Sequence, residues 1–154
     1  MMPAQRRASL FESEASAAYN KLMLRACGTI DINRTGQKPG WYGVDVCDDF
    51  AVYYNWFQSK RGMPWQLPMN GCHITFLAGE KDNRVIGLDE MQPYDNEVVW
   101  FDFEPKVDTD GRSFWIDVQC PRLDEIRKEL RLPKKPWGYH VTLGNLKNRM
   151  SRSL

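Results

Sequence analysis

Runs of apolar and polar residues alternate along this chain, some with the period of a helix and some with the period of a strand. Near the start, Ser9 and Glu12 have capping-box spacing, and apolar side chains follow at helical intervals. This pattern predicts a helix over residues 9–26. Residues 29–40 are rich in Gly, Asn, Pro and Lys, so they are predicted to form a loop that leads into a strand over 41–47.

A second helix is predicted after this strand, capped by Asp48 or Asp49 and ended by Gly62 and the prolines that follow. Its aromatic side chains recur at helical spacing, and we interpret this stripe as core packing. The stripe consists of Phe50, Tyr53, Tyr54 and Phe57.

The second half of the chain predicts mainly strands. They are expected over 71–78, over 85–88, in a hairpin of 98–103 with 114–120, and over 139–143. A third helix is predicted from Pro121, with acidic residues early, basic residues late and a buried stripe of Leu123, Ile126 and Leu130. Runs of helix and strand in this order favour an α+β fold.

Length and composition predict one globular domain over residues 1–154, with 42% hydrophobic and 27% charged residues. No stretch approaches the roughly 18 apolar residues that span a bilayer, and no secretion signal opens the chain. A cytoplasmic location is therefore the default expectation. The four cysteines, Cys27, Cys47, Cys72 and Cys120, lack any C-x-x-C pair and are expected to be buried, reduced thiols.

The net charge of +1 conceals an uneven distribution of charge. Residues 80–110 carry ten acids against three bases, whereas residues 127–154 carry eight bases against one acid. The basic region is the part of the chain that a polyanion would meet.

The chain has only two histidines, and each is followed two residues later by threonine within an apolar run. The two segments are His73-Ile74-Thr75-Phe76 and His140-Val141-Thr142-Leu143. On a strand, side chains two residues apart share a face, so each segment presents an imidazole beside a hydroxyl while its apolar residues face the core.

Two such strands facing each other would have the groups needed to cleave a phosphodiester without a metal. One imidazole would take a proton from the attacking hydroxyl and the other would protonate the departing oxygen, and histidine suits both roles near neutral pH. A single histidine on a half-buried strand is more often structural, but the repeated motif favours catalysis. No Asp, Glu or Cys at ligand spacing accompanies the histidines on these strands, so neither a metal nor another cofactor is expected.

At these motifs the sequence resembles the 2H phosphoesterase superfamily, which is defined by a pair of H-x-[ST]-x motifs. The resemblance implies a bilobal α+β fold, with two antiparallel sheets lining a central cleft and helices outside. It also implies that His73, Thr75, His140 and Thr142 are the catalytic residues. Within the superfamily, residues 132–145 are most similar to phage anti-CBASS nucleases, which cleave the cyclic di- and trinucleotide signals of bacterial defence.

A nucleotide substrate also requires cations for its phosphates and flat rings for its bases. The candidate contacts are Trp137, Tyr139, Lys135, Trp41 and Tyr42. Trp137 is the better stacking candidate of the first two, because Tyr139 alternates away from His140 on its strand. Core burial is the competing interpretation for Trp41 and Tyr42. Lys147 and Arg149, beyond the second motif, could also bind phosphate, and a solvated tail is the competing interpretation for them.

The sequence therefore predicts a metal-independent phosphodiesterase that acts on 3′,5′-linked cyclic di- or trinucleotides in a bacterial cytoplasm, with no membrane or DNA partner. Three alternatives remain open. The first is an RNA-processing 2H enzyme that opens 2′,3′-cyclic phosphates or handles 2′,5′-linked RNA. The others are a non-catalytic sponge for cyclic nucleotides and a structural protein that binds no nucleotide.

Overall fold

The computed structural model describes residues 23–62, 66–68, 70–79, 84–136 and 138–146. Seven strands, three α-helices and one short 3₁₀ helix, Gln92–Tyr94, lie in this part of the chain. The strands are β1 Leu24–Asp31, β2 Trp41–Val46, β3 His73–Ala78, β4 Val98–Phe103, β5 Asp108–Thr109, β6 Ser113–Gln119 and β7 Tyr139–Asn145. The helices are α1 Asp49–Ser59, α2 Leu88–Met91 and α3 Pro121–Glu129.

Six strands form a closed antiparallel barrel in the order β4-β1-β2-β3-β7-β6, and β4 pairs with β6 to complete the ring. The two-residue strand β5 lies outside the ring, alongside β6. Closure removes the free edges of the sheet, and alternation along each strand gives the barrel an apolar interior. Its central side chains are at most 1% exposed and include Ile30, Val44, Ile74, Phe101, Ile116 and Val141.

The predicted bilobal α+β fold is wrong, because the described residues form a closed barrel with only short helices. The strand β1 explains the difference. It pairs with β2 on one side and with β4 on the other, so it closes into a ring the strands that would otherwise form an open sheet. The spacing of apolar residues in 24–26 fits the end of a helical stripe as well as a strand, and only cross-strand pairing decides between them.

Several other local predictions are confirmed, while two of the predicted strand arrangements are wrong. Strand β2, helix α1, strand β3, helix α3 and strand β7 lie where the sequence predicts them. Residues 85–87 form a loop before α2 rather than a strand. The predicted hairpin of 98–103 with 114–120 is reduced to two residue pairs, because β6 runs mainly along β7. Of the predicted helix over 9–26, residues 9–22 lie outside the described residues, and the prediction is wrong for 24–26, which begin β1. The predicted loop over 29–40 is wrong for 29–31, which end that strand.

The aromatic stripe of α1 is only partly buried. Phe50 packs against Phe103 at a ring-centroid distance of 4.8 Å. Tyr53 and Phe57, in contrast, are 56% and 36% exposed, so the prediction of core packing is wrong for these two residues. The aromatic stripe of α1 is therefore wider than the part of the helix that packs against the barrel.

Helix α3 packs against β3 and β4, with Leu123, Ile126 and Leu130 buried as predicted. Arg127, on the same helix, is 1% exposed. Its guanidinium donates to the carbonyl oxygen of Phe76 at 2.8 Å and to that of Pro133 at 2.8 and 3.0 Å. Through these hydrogen bonds Arg127 connects β3 to the segment just before Lys135.

All four cysteines are free thiols, and they differ in burial. Cys72 and Cys120 are buried as predicted, whereas Cys27 and Cys47 are exposed, so the prediction is wrong for the latter two. Cys27 lies on the outward face of β1 and Cys47 follows the last residue of β2. Within the described residues, no helix is both long and apolar enough to cross a membrane.

Candidate active site

The two histidine motifs lie on adjacent antiparallel strands. Ile74 of β3 pairs with Val141 of β7, and both side chains are fully buried in the barrel. Because side chains alternate along a strand, the histidines and threonines on either side of this pair share the outer face. The register places His73 opposite Thr142 and Thr75 opposite His140.

This register makes the two imidazoles diagonal neighbours. Directly opposed residues in an antiparallel pair have Cβ atoms about 4.5 to 5.5 Å apart, and diagonal neighbours are separated by about 7 to 8 Å. A group bound between the two rings at that separation would also lie beside both threonine side chains. The fold therefore assembles the four predicted catalytic side chains from strands that lie 67 residues apart in the chain.

The neighbouring strands β2 and β6 extend this face into two rows. The rows across β2, β3, β7 and β6 are Asp45, His73, Thr142 and Trp115, and Gly43, Thr75, His140 and Asp117. Each histidine thus has an aspartate as its cross-strand neighbour. The arrangement has an approximate local two-fold relation about the pair of Ile74 and Val141.

His73 is half-buried and has a defined partner. Its Nδ1 lies 3.2 Å from the carbonyl oxygen of Gly71, which can only accept, so Nδ1 carries the proton and Nε2 holds the lone pair. Burial lowers the pKa of His73, and the Arg34 guanidinium lowers it further, while the Gly71 carbonyl and the Asp45 carboxylate oppose the shift. This pKa favours the neutral imidazole at neutral pH.

His140 is more exposed, and its ring lies 6.3 Å from the ring of Trp115. Neighbouring protein atoms still partly desolvate the imidazole, which lowers its pKa, and the Lys135 amine lowers it further, as does His73 when it is protonated. In the described part of the chain its ring nitrogens have no hydrogen-bond partner. Its orientation is therefore less constrained than that of His73.

The two aspartates differ although their positions correspond. The Arg34 Nε binds the Asp45 carboxylate, and the Arg34 Nη2 donates to the carbonyl oxygen of Asn70. Asp117 lies near the carboxyl of Asp108, and partial desolvation together with this neighbour raises the pKa of Asp117. One aspartate is neutralised by a cation and the other shares its surroundings with a second acid.

The positions next to the two threonines also differ. Gly43 is the neighbour of Thr75, and a Cβ there would lie 2.9 Å from the carbonyl oxygen of Ile74 and 3.6 Å from Cδ2 of His73. Trp115 is the neighbour of Thr142. The glycine lets β2 approach β3 closely, whereas an indole occupies the corresponding position on the other side.

Two of the predicted substrate contacts lie close to this face. The amine of Lys135 donates to the carbonyl oxygen of Thr75 at 3.3 Å. Trp41 shares the outward face of β2 with Gly43 and lines a pocket of about 470 Å³. Arg34, Gln37 and Lys38 also line this pocket, and the Lys38 amine lies 5.6 Å from the centroid of the Trp41 ring.

Two other predicted contacts point into the barrel. Tyr42 is 4% exposed and its hydroxyl donates to the carbonyl oxygen of Ile86 at 2.8 Å. Tyr139 is 3% exposed and its hydroxyl donates to Asp124 at 2.7 Å. Strand alternation accounts for both positions, since each tyrosine is one residue away from an outward-facing side chain. Trp137, Lys147 and Arg149 lie outside the described residues.

Arg34, Asp45 and Asp117 belong to this face but are not predicted from the sequence. A signal for the aspartates exists in the sequence, because Val44-Asp45-Val46 and Ile116-Asp117-Val118 both place a carboxylate in the middle of an apolar strand. Arg34 has no comparable signal, because it lies in a loop and reaches the site only through tertiary contacts.

No protein-family model matches the chain, and no curated protein or solved structure matches it either. Among the described residues, no group of three or more His, Cys, Asp and Glu side chains has the arrangement of a metal site. The chemistry of this site is therefore defined by the four motif side chains and their immediate neighbours. Chemically, these groups can move two protons and bind an anion between them.

Proposed function

We propose that this protein is a metal-independent phosphodiesterase of the 2H type that uses His73 and His140 as its acid–base pair. One observation carries the proposal: the register places both imidazoles and both threonine hydroxyls on one outer face, in diagonal pairs. General acid–base catalysis requires two proton-transfer groups on opposite sides of the reacting phosphorus. The threonines would donate hydrogen bonds to its non-bridging oxygens.

The proposed substrates are the 3′,5′-linked cyclic di- and trinucleotides that signal in bacterial anti-phage defence. The resemblance of residues 132–145 to anti-CBASS nucleases supports this class. The pocket beside Trp41 also supports it, since an aromatic ring and nearby cations suit a base and its phosphate. The site of action would then be the cytoplasm of a bacterial host, with the gene carried by a phage.

The reaction follows from the two proton-transfer roles. A ribose 2′-hydroxyl loses its proton to one imidazole and attacks the adjacent phosphorus, so an O2′–P bond forms. The P–O5′ bond breaks, and the other imidazolium gives its proton to the departing O5′ oxygen. The product is a linear nucleotide with a 2′,3′-cyclic phosphate, which water opens when the two imidazoles exchange roles.

The test is incubation of the purified protein, in the presence of EDTA, with a panel of defined compounds. The panel contains 3′,3′-cyclic dinucleotides, cyclic trinucleotides, 2′,3′-cyclic mononucleotides and 2′,5′-linked dimers, and products are separated by chromatography and identified by mass. We expect linear products from the cyclic di- or trinucleotides. The double variant His73→Ala/His140→Ala is the matched control and should give none.

The other outcomes distinguish the alternatives. Cleavage confined to 2′,3′-cyclic or 2′,5′-linked compounds would overturn the proposed substrate and indicate RNA processing. Binding without product would indicate a nucleotide sponge, and neither binding nor cleavage would overturn the proposal altogether. Loss of activity with EDTA, restored by a divalent cation, would contradict the metal-independent mechanism.

A further inference from the structure

Arg34 is an enclosed cation next to the candidate site. Its side chain is 7% exposed although it lies in the loop between β1 and β2. Its Nε binds Asp45, which is the cross-strand neighbour of His73, and its Nη2 donates to the carbonyl oxygen of Asn70. The enclosed guanidinium thus bridges Asp45 of β2 and the segment that precedes β3, which ties the loop to both.

These contacts connect Arg34 to the proton on His73. Asn70 precedes Gly71, whose carbonyl oxygen accepts from Nδ1 of His73. Gly71 adopts a φ of +78°, and Asp48 accepts from the backbone N–H of Cys72 at 3.1 Å on the other side. Arg34 and Asp48 therefore hold the turn that determines where this carbonyl points and hence which nitrogen of His73 is protonated.

We propose that Arg34 is a positioning residue that keeps His73 as the general base for attack by the 2′-hydroxyl and leaves the acid role to His140. The inference rests on the proposed function. The inference goes beyond that function because it assigns a role to each histidine and adds a residue from outside both motifs.

Electrostatics supports this division of roles. The charged and titratable groups around His73 are Arg34, Asp45, Asp48 and His140. The carboxylate of Asp45 is bound to Arg34, so it does not serve as a free counterion for an imidazolium. Burial and the guanidinium therefore favour neutral His73, whose Nε2 lone pair can accept a proton.

The surroundings of His140 suit the opposite role. Its imidazole is exposed and has no hydrogen bond within the described residues, so it can turn toward a leaving oxygen. Partial desolvation and the positive charge of Lys135 disfavour its protonation in the free protein. A bound phosphate would reverse that effect, because an anion within about 4 to 6 Å favours the imidazolium. His140 would then carry its proton only when substrate is present.

The first test is a proton NMR titration of the two histidines, which are the only ones in the chain. Arg34→Gln should raise the pKa of His73 by about 0.5 or more, since it removes a neighbouring cation and releases Asp45. Arg34→Lys should restore much of the wild-type value. Arg25→Gln is the matched control, because Arg25 lies over Trp100 on another part of the barrel and should move neither histidine.

An unchanged or lowered pKa of His73 in Arg34→Gln would overturn the positioning role. If that variant does not fold, Asp45→Asn provides the same test with opposite sign. It leaves Arg34 without its counterion, so the pKa of His73 should fall. A rise in that variant would equally contradict the proposal.

The second test assigns the roles by using a cyclic dinucleotide with a bridging 5′ sulfur at the scissile phosphate. A thiolate leaves without general-acid assistance, so His140→Ala should recover activity on this substrate relative to the natural one, while His73→Ala should not. Recovery in His73→Ala instead would overturn the assignment. Relative to the wild-type profile, the acidic limb of kcat/KM should move to higher pH in Arg34→Gln, because the pKa of the base rises. In Arg34→Lys it should return toward the wild-type position.

The two tests separate the inference from the function on which it rests. If the wild-type protein cleaves no nucleotide, the proposed function fails and the base role fails with it, but the NMR titration still decides whether Arg34 controls His73. If the wild-type protein cleaves and the sulfur substrate rescues the wrong variant, only the role assignment fails.

Discussion

The strands β3 and β7 carry the same motif, yet the two sides of the candidate site are built differently. His73 is held by a backbone carbonyl and lies beside an aspartate that a buried arginine neutralises. His140 is exposed, lies beside Trp115 and has a neighbouring aspartate that shares its surroundings with another acid. Identical local patterns thus acquire different surroundings from what lies on the next strand.

This difference suggests how a repeated motif can supply both an acid and a base. Two histidines in equivalent surroundings would have the same proton affinity, whereas catalysis requires one to begin neutral and the other to deliver a proton. Here the asymmetry comes from side chains outside the motifs. Substitutions on the two sides of the site should show how far that asymmetry extends.

The histidines themselves should give the largest effect. His73→Ala and His140→Ala should each lower turnover of the cyclic nucleotide by about 10² to 10⁴-fold, because each removes one proton-transfer group. The double variant should lose little more, since the two groups act as a unit. Turnover is followed by chromatography, and circular dichroism checks that the fold is retained. A single variant with wild-type turnover would contradict the paired mechanism.

The threonines should give a smaller effect. Thr75→Val and Thr142→Val remove a hydroxyl with little change of shape, and each should lower kcat roughly 10²-fold if the hydroxyl stabilises charge on the phosphate. Similar losses would mean that the two sides bind the phosphate alike and differ only in proton transfer. Single-turnover kinetics measures this, and an unchanged rate in either variant would remove that threonine from the site.

Gly43 provides a test of packing on the β2 side. Gly43→Ala places a Cβ against the carbonyl oxygen of Ile74, which is backbone and cannot rotate away. We expect a loss of about 1 to 3 kcal/mol in the free energy of unfolding, measured with urea. Gly87→Ala is the control, because a Cβ there meets nothing within 4 Å, and it should change stability by less than about 0.5 kcal/mol. Equal effects of the two substitutions would contradict the close approach of β2 and β3.

The pH dependence of stability should give the smallest effect. Both histidines have a pKa below the ordinary value of 6.5, so the unfolded chain takes up protons before the folded protein does. Stability should therefore be highest above pH 6.5 and fall as the pH drops below that value. The double variant His73→Gln/His140→Gln should show a shallower fall in Tm over the same range. An identical fall in both proteins would mean that other groups cause it.

The sequence supports many of the local elements but not their assembly. Strand alternation correctly placed β3 and β7, and Pro121 with its dipole-matched charges marked α3. The strand β1 escaped prediction because its first residues also fit a helical stripe, and without β1 the barrel cannot close. The family resemblance implied the bilobal fold, and without a prediction of β1 no local pattern indicated a closed barrel.

Within the candidate site, the four motif residues and the strand face that each His and Thr pair shares follow from the sequence alone, because a period of two is a local property of any strand. The adjacency of β3 and β7, the position of His73 opposite Thr142 and the contact of Arg34 with Asp45 follow only from the folded chain. Alternation already turns Tyr139 away from His140, and the structure places both Tyr139 and Tyr42 in the core. The physical reason is that pairing between distant strands, and burial of a loop arginine beneath them, depend on contacts across the barrel, which no local pattern of residues specifies.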